Sequence, residues 1–348
     1  MKKSIFAFSR EKLSQDLINQ DEKPFRAVQI FEWIYRKKAR SFLEMSNVAK
    51  KSQEKLEALY SFDQLEVETW QESADGTKKF LFRLADGNFI ETVLMHFNYG
   101  DSVCISTQVG CNMGCAFCAS GINKRKRNLT VDEMVLQVLS IDERLREENK
   151  RVSHIVIMGI GEPFDNYDNV IDFIQIMNDN KGLEIGARHI TLSTCGIVPK
   201  IKEFALLPLQ INLAISLHFP TNEQRNKYMP INHAYPLEEL FSAIRFYYEK
   251  TNRRITFEYI LMDSINDSLE DAGNLVKLVR GLNCYVNLIP MNSTKPEWRR
   301  SLQEKTDAFY DYLMKNNVSV TLRKEQGHDI DAACGQLRIK RETQKWQD

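Results

Sequence analysis

The chain has 348 residues, and its 47 lysines and arginines balance 47 aspartates and glutamates, for a formal net charge of zero. With 43% hydrophobic and 27% charged residues it reads as an ordinary globular protein, which excludes disordered and fibrous classes. No window is long and apolar enough to span a membrane, and the start MKKSIFAFSREK has no leader-like apolar stretch. Seven cysteines in such a chain point to a reducing cytoplasm, where a close thiol pair belongs to redox or catalytic work.

In chain order, residues 1–62 read as a small helical domain. Apolar spacing predicts helices over 10–19, 25–35 and 52–60. Between Arg36 and Lys55 stand seven basic residues against Glu44 and Glu54, a balance suited to RNA contact or to plain packing. Residues 63–98 predict a β-extension, with strands over 78–84 and 88–96 joined at Ala85-Asp86-Gly87. Residues 99–325 then alternate. Strands are predicted at 102–107, 153–158, 189–194, 211–217, 254–261, 284–290 and 318–323, and helices at 130–148, 168–179, 199–206, 236–250, 268–281 and 303–316. Repeated βα units imply an α/β fold with a parallel sheet, and their number suits a partial barrel better than a closed one of eight strands. Residues 326–348 form a final polar segment, predicted to fold back as a loop.

Cys111, Cys115 and Cys118 make a C-x3-C-x2-C run in GCNMGCAFCAS. Soft thiolates select zinc or iron–sulfur clusters, and three of them can hold three irons of a cubic [4Fe–4S] cluster. No fourth cysteine stands at a ferredoxin-like spacing, so one iron stays open for chemistry. A zinc site would call for a second cysteine pair; three ordinary buried thiols are the blander alternative. The basic run Lys124–Arg127 follows directly, where a phosphate backbone would pass if the substrate is RNA.

Other polar motifs fall just past the predicted strand ends, the rim where parallel α/β folds bind ligands. They are Gly159-Ile-Gly161-Glu162-Pro163, Ser193-Thr-Cys-Gly196, Ser216-Leu217-His218 and Asn292. Glycines there would let backbone approach a ligand, and Glu162 can accept hydrogen bonds from an amino group. Cys195 and Cys284 read as small buried hydrophobes. Cys104 precedes the cluster run by seven residues, and Cys334 lies in the polar GHDIDAACGQLR, an unlikely core position.

The motifs CISTQVGCNMGCAFCAS, MGIGEPFDNYDNV, ARHITLSTCGIVPKI, AISLHFP, MPIN, TFEYIL, VNLIPMN and DIDAACGQLR occur in one order. By them the chain resembles the RlmN/Cfr family of radical S-adenosylmethionine (SAM) enzymes that methylate adenines in RNA. The likeness runs from about residue 76 to 338, and more loosely through the amino-terminal domain. It implies a partial (β/α)6-type radical SAM barrel, one [4Fe–4S] cluster on Cys111, Cys115 and Cys118, and two SAM molecules per turnover. Gly161, Glu162, Ser193, Ser216, Leu217, His218 and Asn292 would bind SAM. Cys334 would accept a methyl group, Cys104 would resolve the RNA adduct through a transient disulfide, and Glu91 would take a proton. Pro163 after Gly-Glu matches the branch that methylates C2 of adenine in 23S rRNA and tRNA, whereas the C8 branch usually has alanine. Cys195 and Phe219 depart from the family's usual serine and small residue, and should alter packing near SAM. An electron donor such as flavodoxin is expected, and a monomer suffices. The rival readings are a C8 rRNA adenine methyltransferase of the Cfr type and, from another class, a non-enzymatic RNA-binding metal protein.

Overall fold

One ten-stranded sheet runs through the molecule, antiparallel at one end and parallel over the rest. The computed structural model describes residues 2–122, 124–292, 297–323, 326–327, 329–331 and 333–344. Near the amino terminus β1 (Lys3–Ser4) pairs in parallel with β2 (Tyr60–Ser61). Between them lie α1 (Arg10–Asn19), α2 (Arg26–Phe31) and α3 (Lys50–Leu59). The Ser9 hydroxyl accepts the Lys12 N–H and so satisfies one donor orphaned at the start of α1. Past α2 the helix widens into a π-turn over Glu32–Arg36, which carries the predicted second helix to its end.

This domain shares one continuous apolar core with the barrel and is also tied to it by charges. Arg10 pairs with Asp179 and Lys12 with Asp172, while Lys38 reaches Asp142 and Arg40 reaches Glu143. Arg36 bonds Glu184 and the Gly182 carbonyl. Much of the basic balance predicted to face RNA is therefore committed to the protein's own helices.

Strands β3 (Glu66–Glu72), β4 (Lys78–Arg83) and β5 (Phe89–Phe97) form an antiparallel extension. Gly87, at φ +79°, makes the predicted turn between the last two. The sequence reading placed two strands here and missed β3. That edge strand, EVETWQE, buries none of its residues fully, so its apolar signal is weak. Beyond β5 the sheet turns parallel at β6 (Gly100–Cys104).

From β6 the chain enters a loop clasped by a small ladder of β7 (Gln108–Val109) and β8 (Arg127–Asn128). Helix α4 (Val131–Glu147) leads to β9 (Val152–Ile157), and α5 (Tyr167–Asn178) to β10 (Ile190–Thr194). Helix α6 (Val198–Phe204) leads to β11 (Asn212–Ser216). Three helices then precede β12 (Ile255–Leu261): α7 (Asn222–Tyr228), α8 (Ile231–Ala234) and α9 (Leu237–Thr251). Helix α10 (Leu269–Val279), β13 (Cys284–Pro290), α11 (Gln303–Lys315) and β14 (Val320–Leu322) complete the parallel run. Buried Ile155, Leu192, Ile215, Phe257 and Leu288 line its core. The edges β14 and β3 stay apart, leaving an open, partial barrel.

The segment after Cys334 was expected to be a loop and is in part a helix, α12 (Gln336–Gln344). Its first turn is fixed by a distant carboxylate and by burial of Leu337, neither of which is local to the segment. Among the described residues no helix is long and apolar enough to cross a membrane.

Candidate active site

Loop 111–118 leaves the carboxyl end of β6 and is held at several points. The Asn112 side chain accepts the Arg125 N–H at 2.9 Å, and the Tyr228 carbonyl accepts the Ala116 N–H at 2.9 Å. Cys111, Cys115 and Cys118 are free and half-buried. Burial pushes the Cys111 thiol up to about 12 and lifts Cys115 as well, with the neighbouring sulfurs adding to both. Two thiols that resist ionising in each other's company suit a cationic metal core, which favours the thiolate form. Among the described residues no three such groups crowd a single ion's position. A cubic cluster needs no such crowding, because it takes one thiolate per iron.

The rim motifs gather around this loop. A Cβ on Gly159 would stand 2.5 Å from the Ile105 carbonyl oxygen, and one on Gly161, at φ +117°, 2.6 Å from Thr107 Oγ1. These glycines thus admit the chain's own 105–108 segment, a closer constraint than the ligand approach expected of them. Glu162 is buried, and its two oxygens accept the N–H groups of Phe164 (3.0 Å) and Cys195 (2.8 Å). Burial raises its pKa against those bonds. Ser193 and Ser216 touch through their hydroxyls at 3.1 Å.

Leu217 and His218 both donate backbone N–H groups to the Glu258 carbonyl. His218, at φ +58°, accepts the Ile260 N–H at Nδ1. Burial and the charge of Arg225 push its pKa down to about 3, so the imidazole stays neutral. Asn292 is exposed, two residues beyond β13. Cys195 and Phe219 share a small apolar cluster with Phe117, Met229 and Met291, which is packing, as expected.

The second cysteine pair meets beside the cluster loop. Cys104 ends β6, buried, and burial together with the charge of Cys334 pushes its thiol up to about 12. Cys334 Sγ lies 3.5 Å from the Met158 carbonyl. Gly335, at φ +87°, seats the turn against the residues that follow Cys118; a Cβ there would stand 3.0 Å from the Ser120 nitrogen.

Glu91, in β5, is 3% exposed and accepts the N–H groups of Gly335 (2.6 Å) and Arg338 (2.8 Å). It pairs at 3.0 Å with Lys79, which is 0% exposed. The Lys79 ammonium in turn donates to the carbonyls of Asp331 (2.5 Å) and Ala333 (2.8 Å). One buried ion pair therefore grips the Cys334 turn from both sides. Sequence reasoning missed Lys79, whose alternation in β4 was the available signal. It also missed Arg225, a fully buried arginine in α7.

The Lys124–Arg127 run, expected beside a phosphate backbone, is largely spent within the protein. Arg125 pairs with Asp165, Arg127 with Glu133 and Asp86, and Lys126 bonds Asn88. The adjoining acidic side chains neutralise the patch.

Residues 105–276 match the Radical SAM superfamily, and residues 4–61 match the ribosomal RNA large subunit methyltransferase N-terminal domain. A Spiroplasma citri protein described as probable dual-specificity RNA methyltransferase RlmN is 56% identical, across 97% of this chain and 98% of its own length. A Geobacillus kaustophilus protein of the same description is 54% identical, covering 97% and 93%. A crystal structure of a radical SAM methyltransferase from Sphaerobacter thermophilus superposes with a TM-score of 0.90 at 40% identity, across 96% of this chain and 98% of that one.

Proposed function

Because the chain belongs to the RlmN family of radical SAM RNA methyltransferases, we propose that it methylates C2 of adenine in 23S rRNA and in tRNA through a methylated Cys334. The observation that carries this reading is the meeting of Cys334, Cys104 and Glu91 at one spot beside the loop of Cys111, Cys115 and Cys118.

Adenine C2 is an electron-poor carbon with no lone pair, so polar methyl transfer fails there. The [4Fe–4S] cluster and SAM, when bound, supply the one-electron chemistry that removes hydrogen from the methyl group on Cys334. Cys111, Cys115 and Cys118 would hold the cluster, and Gly161, Glu162, Ser193, Ser216, Leu217, His218 and Asn292 would form the SAM rim. Flavodoxin or a similar protein donates the electron.

Cys334 first takes its methyl group from SAM as a nucleophilic thiolate. Once activated, that carbon bonds to C2, tethering the RNA to the protein. Glu91 takes the C2 proton as one electron is given back. Cys104 then attacks the Cys334 sulfur: an S–S bond forms, the C–S bond breaks, and the carbon gains a proton to become methyl. Both Glu91 oxygens are engaged by the 335–338 turn. Glu91 becomes a free base only as that turn shifts, so arrival of RNA and release of the base are coupled. The target adenine must lie in a loop or flip out to enter.

The test is the mass of the Cys334 peptide from cluster-replete protein, alongside Cys104→Ala incubated with RNA. The expected results are one added methyl group and a covalent protein–RNA adduct. An unmodified thiol in cluster-replete protein supplied with SAM would remove the mechanism.

A further inference from the structure

The MPIN motif, Met229–Asn232, and the α7 arginine before it have no part in the chemistry above. Arg225 is 0% exposed. Its guanidinium donates to four neutral oxygens: the carbonyls of Cys195 (3.0 Å), Leu217 (2.5 Å) and Ser216 (3.4 Å), and Asn232 Oδ1 (3.0 Å). Among the described residues no carboxylate pairs with it. Asn232, itself buried, is aimed by its own donations to Asn222 (3.0 Å) and Asn226 (2.8 Å).

A buried cation lacking an anionic partner is costly and calls for an explanation. Its surroundings supply one. The three carbonyls belong to the ends of β10 and β11, next to Ser193, Ser216 and His218. The helix carrying Arg225 is fastened to the cluster loop by the Tyr228 carbonyl at Ala116 and by Pro230 beside Gly114. The Cys115 and Cys195 sulfurs lie within Coulombic reach of the guanidinium. Three thiolates with inorganic sulfide, and a SAM carboxylate beside them, add negative charge to that pocket.

We propose that Arg225, aimed by Asn232, is the fixed counter-charge of the cluster and of SAM, a positioning residue that favours the reduced cluster and binding of the SAM carboxylate. This rests on the three-cysteine cluster reading. A cation near a cluster eases addition of an electron, because net charge and hydrogen bonding set cluster potentials.

The experiment compares Arg225→Lys, Arg225→Gln and Asn232→Asp with the parent protein. Iron and sulfide content are measured, the cluster is titrated potentiometrically by electron paramagnetic resonance, and SAM affinity is determined. Parent protein without iron would overturn the cluster reading itself. With the cluster loaded, Arg225→Gln is expected to lower the reduction equilibrium at least tenfold, a shift of about 59 mV for one electron. SAM binding should weaken by a similar factor. Arg225→Lys keeps the charge and should restore most of both, whereas a merely structural arginine would be lost equally in either variant. Asn232→Asp sets a carboxylate against the guanidinium with almost no change of shape; the exposed Asn226 amide can turn to donate to it, while Asn222 Oδ1, held by the Leu237 N–H, is left facing an oxygen. It should move the potential in the same direction, and it decides the matter if Arg225→Gln fails to fold. A loaded Arg225→Gln or Asn232→Asp cluster at the parent potential overturns the proposal.

Discussion

The helical amino-terminal domain and the Cys334 turn are both fastened to the sheet by charge, but in opposite environments. Arg40 and Glu143, which link the domain to α4, are 71% and 60% exposed, while Lys79 and Glu91 under the turn are 0% and 3% exposed. Exposed pairs are screened by water and salt and contribute little; a buried pair becomes expensive as soon as one partner is lost. The domain's charged ties are thus many and mostly small additions to a shared apolar core, whereas the turn is gripped by one buried pair that includes Glu91, the base we propose.

Lys79→Met should sharpen this contrast most. It strands a buried carboxylate, at a cost of about 3–5 kcal/mol in urea unfolding, and it should expose the segment after residue 326 to protease. Pairing it with Glu91→Leu removes the stranded charge but leaves the Gly335 and Arg338 N–H groups unpaired, so it should recover only part of the stability and none of the methylation. A loss below about 1 kcal/mol in the single variant would erase the distinction. Lys38→Met stands between the extremes, because its partner Asp142 is buried while the lysine is part-exposed. Losing this ion pair leaves a buried carboxylate oxygen short of a partner and should cost about 1–3 kcal/mol.

Burial also governs Cys104, whose thiol is pushed up to about 12. Below that value each rise of one pH unit increases its thiolate about tenfold, or about 1.4 kcal/mol. Release of the RNA adduct should quicken accordingly between pH 7 and 9 in single-turnover assays. A flat profile would mean that Cys104 is ionised by some other rearrangement first. The smallest effect belongs to Arg40→Ala, at about 0–1 kcal/mol and shrinking further with added salt.

These contrasts mark where the sequence was legible. The parallel strands and their helices follow from apolar runs alternating with amphipathic ones, and each predicted barrel strand lies within a few residues of an observed one. The thiol run announces itself by spacing alone. Strand β3 and helix α12 did not, because EVETWQE and QLRIKRETQ carry almost no apolar pattern and are fixed by partners far away in the chain. Lys79 and Arg225 were missed for a related reason: a charged residue in a sequence reads as surface, and the assembled sheet shows both enclosed, although the alternation of β4 was a signal for Lys79. Conversely, the acidic partners of Arg125 and Arg127, most of which lie at a distance along the chain, could not be read from the Lys124–Arg127 run alone.

The grip on the Cys334 turn spans great distance along the chain: the Gly335 N–H meets a side chain 244 residues earlier. During synthesis on the ribosome, every strand of the sheet emerges before this segment does, and domains generally fold as their residues become available. The cysteine loop and the rim can therefore assemble before Cys334, the thiol we propose accepts the methyl group, has emerged. A chain cut short before that segment would hold the cysteine loop and the rim without the Cys334 turn. On the proposed mechanism, productive chemistry waits until this segment has emerged and slides onto a carboxylate that has been in place almost from the start.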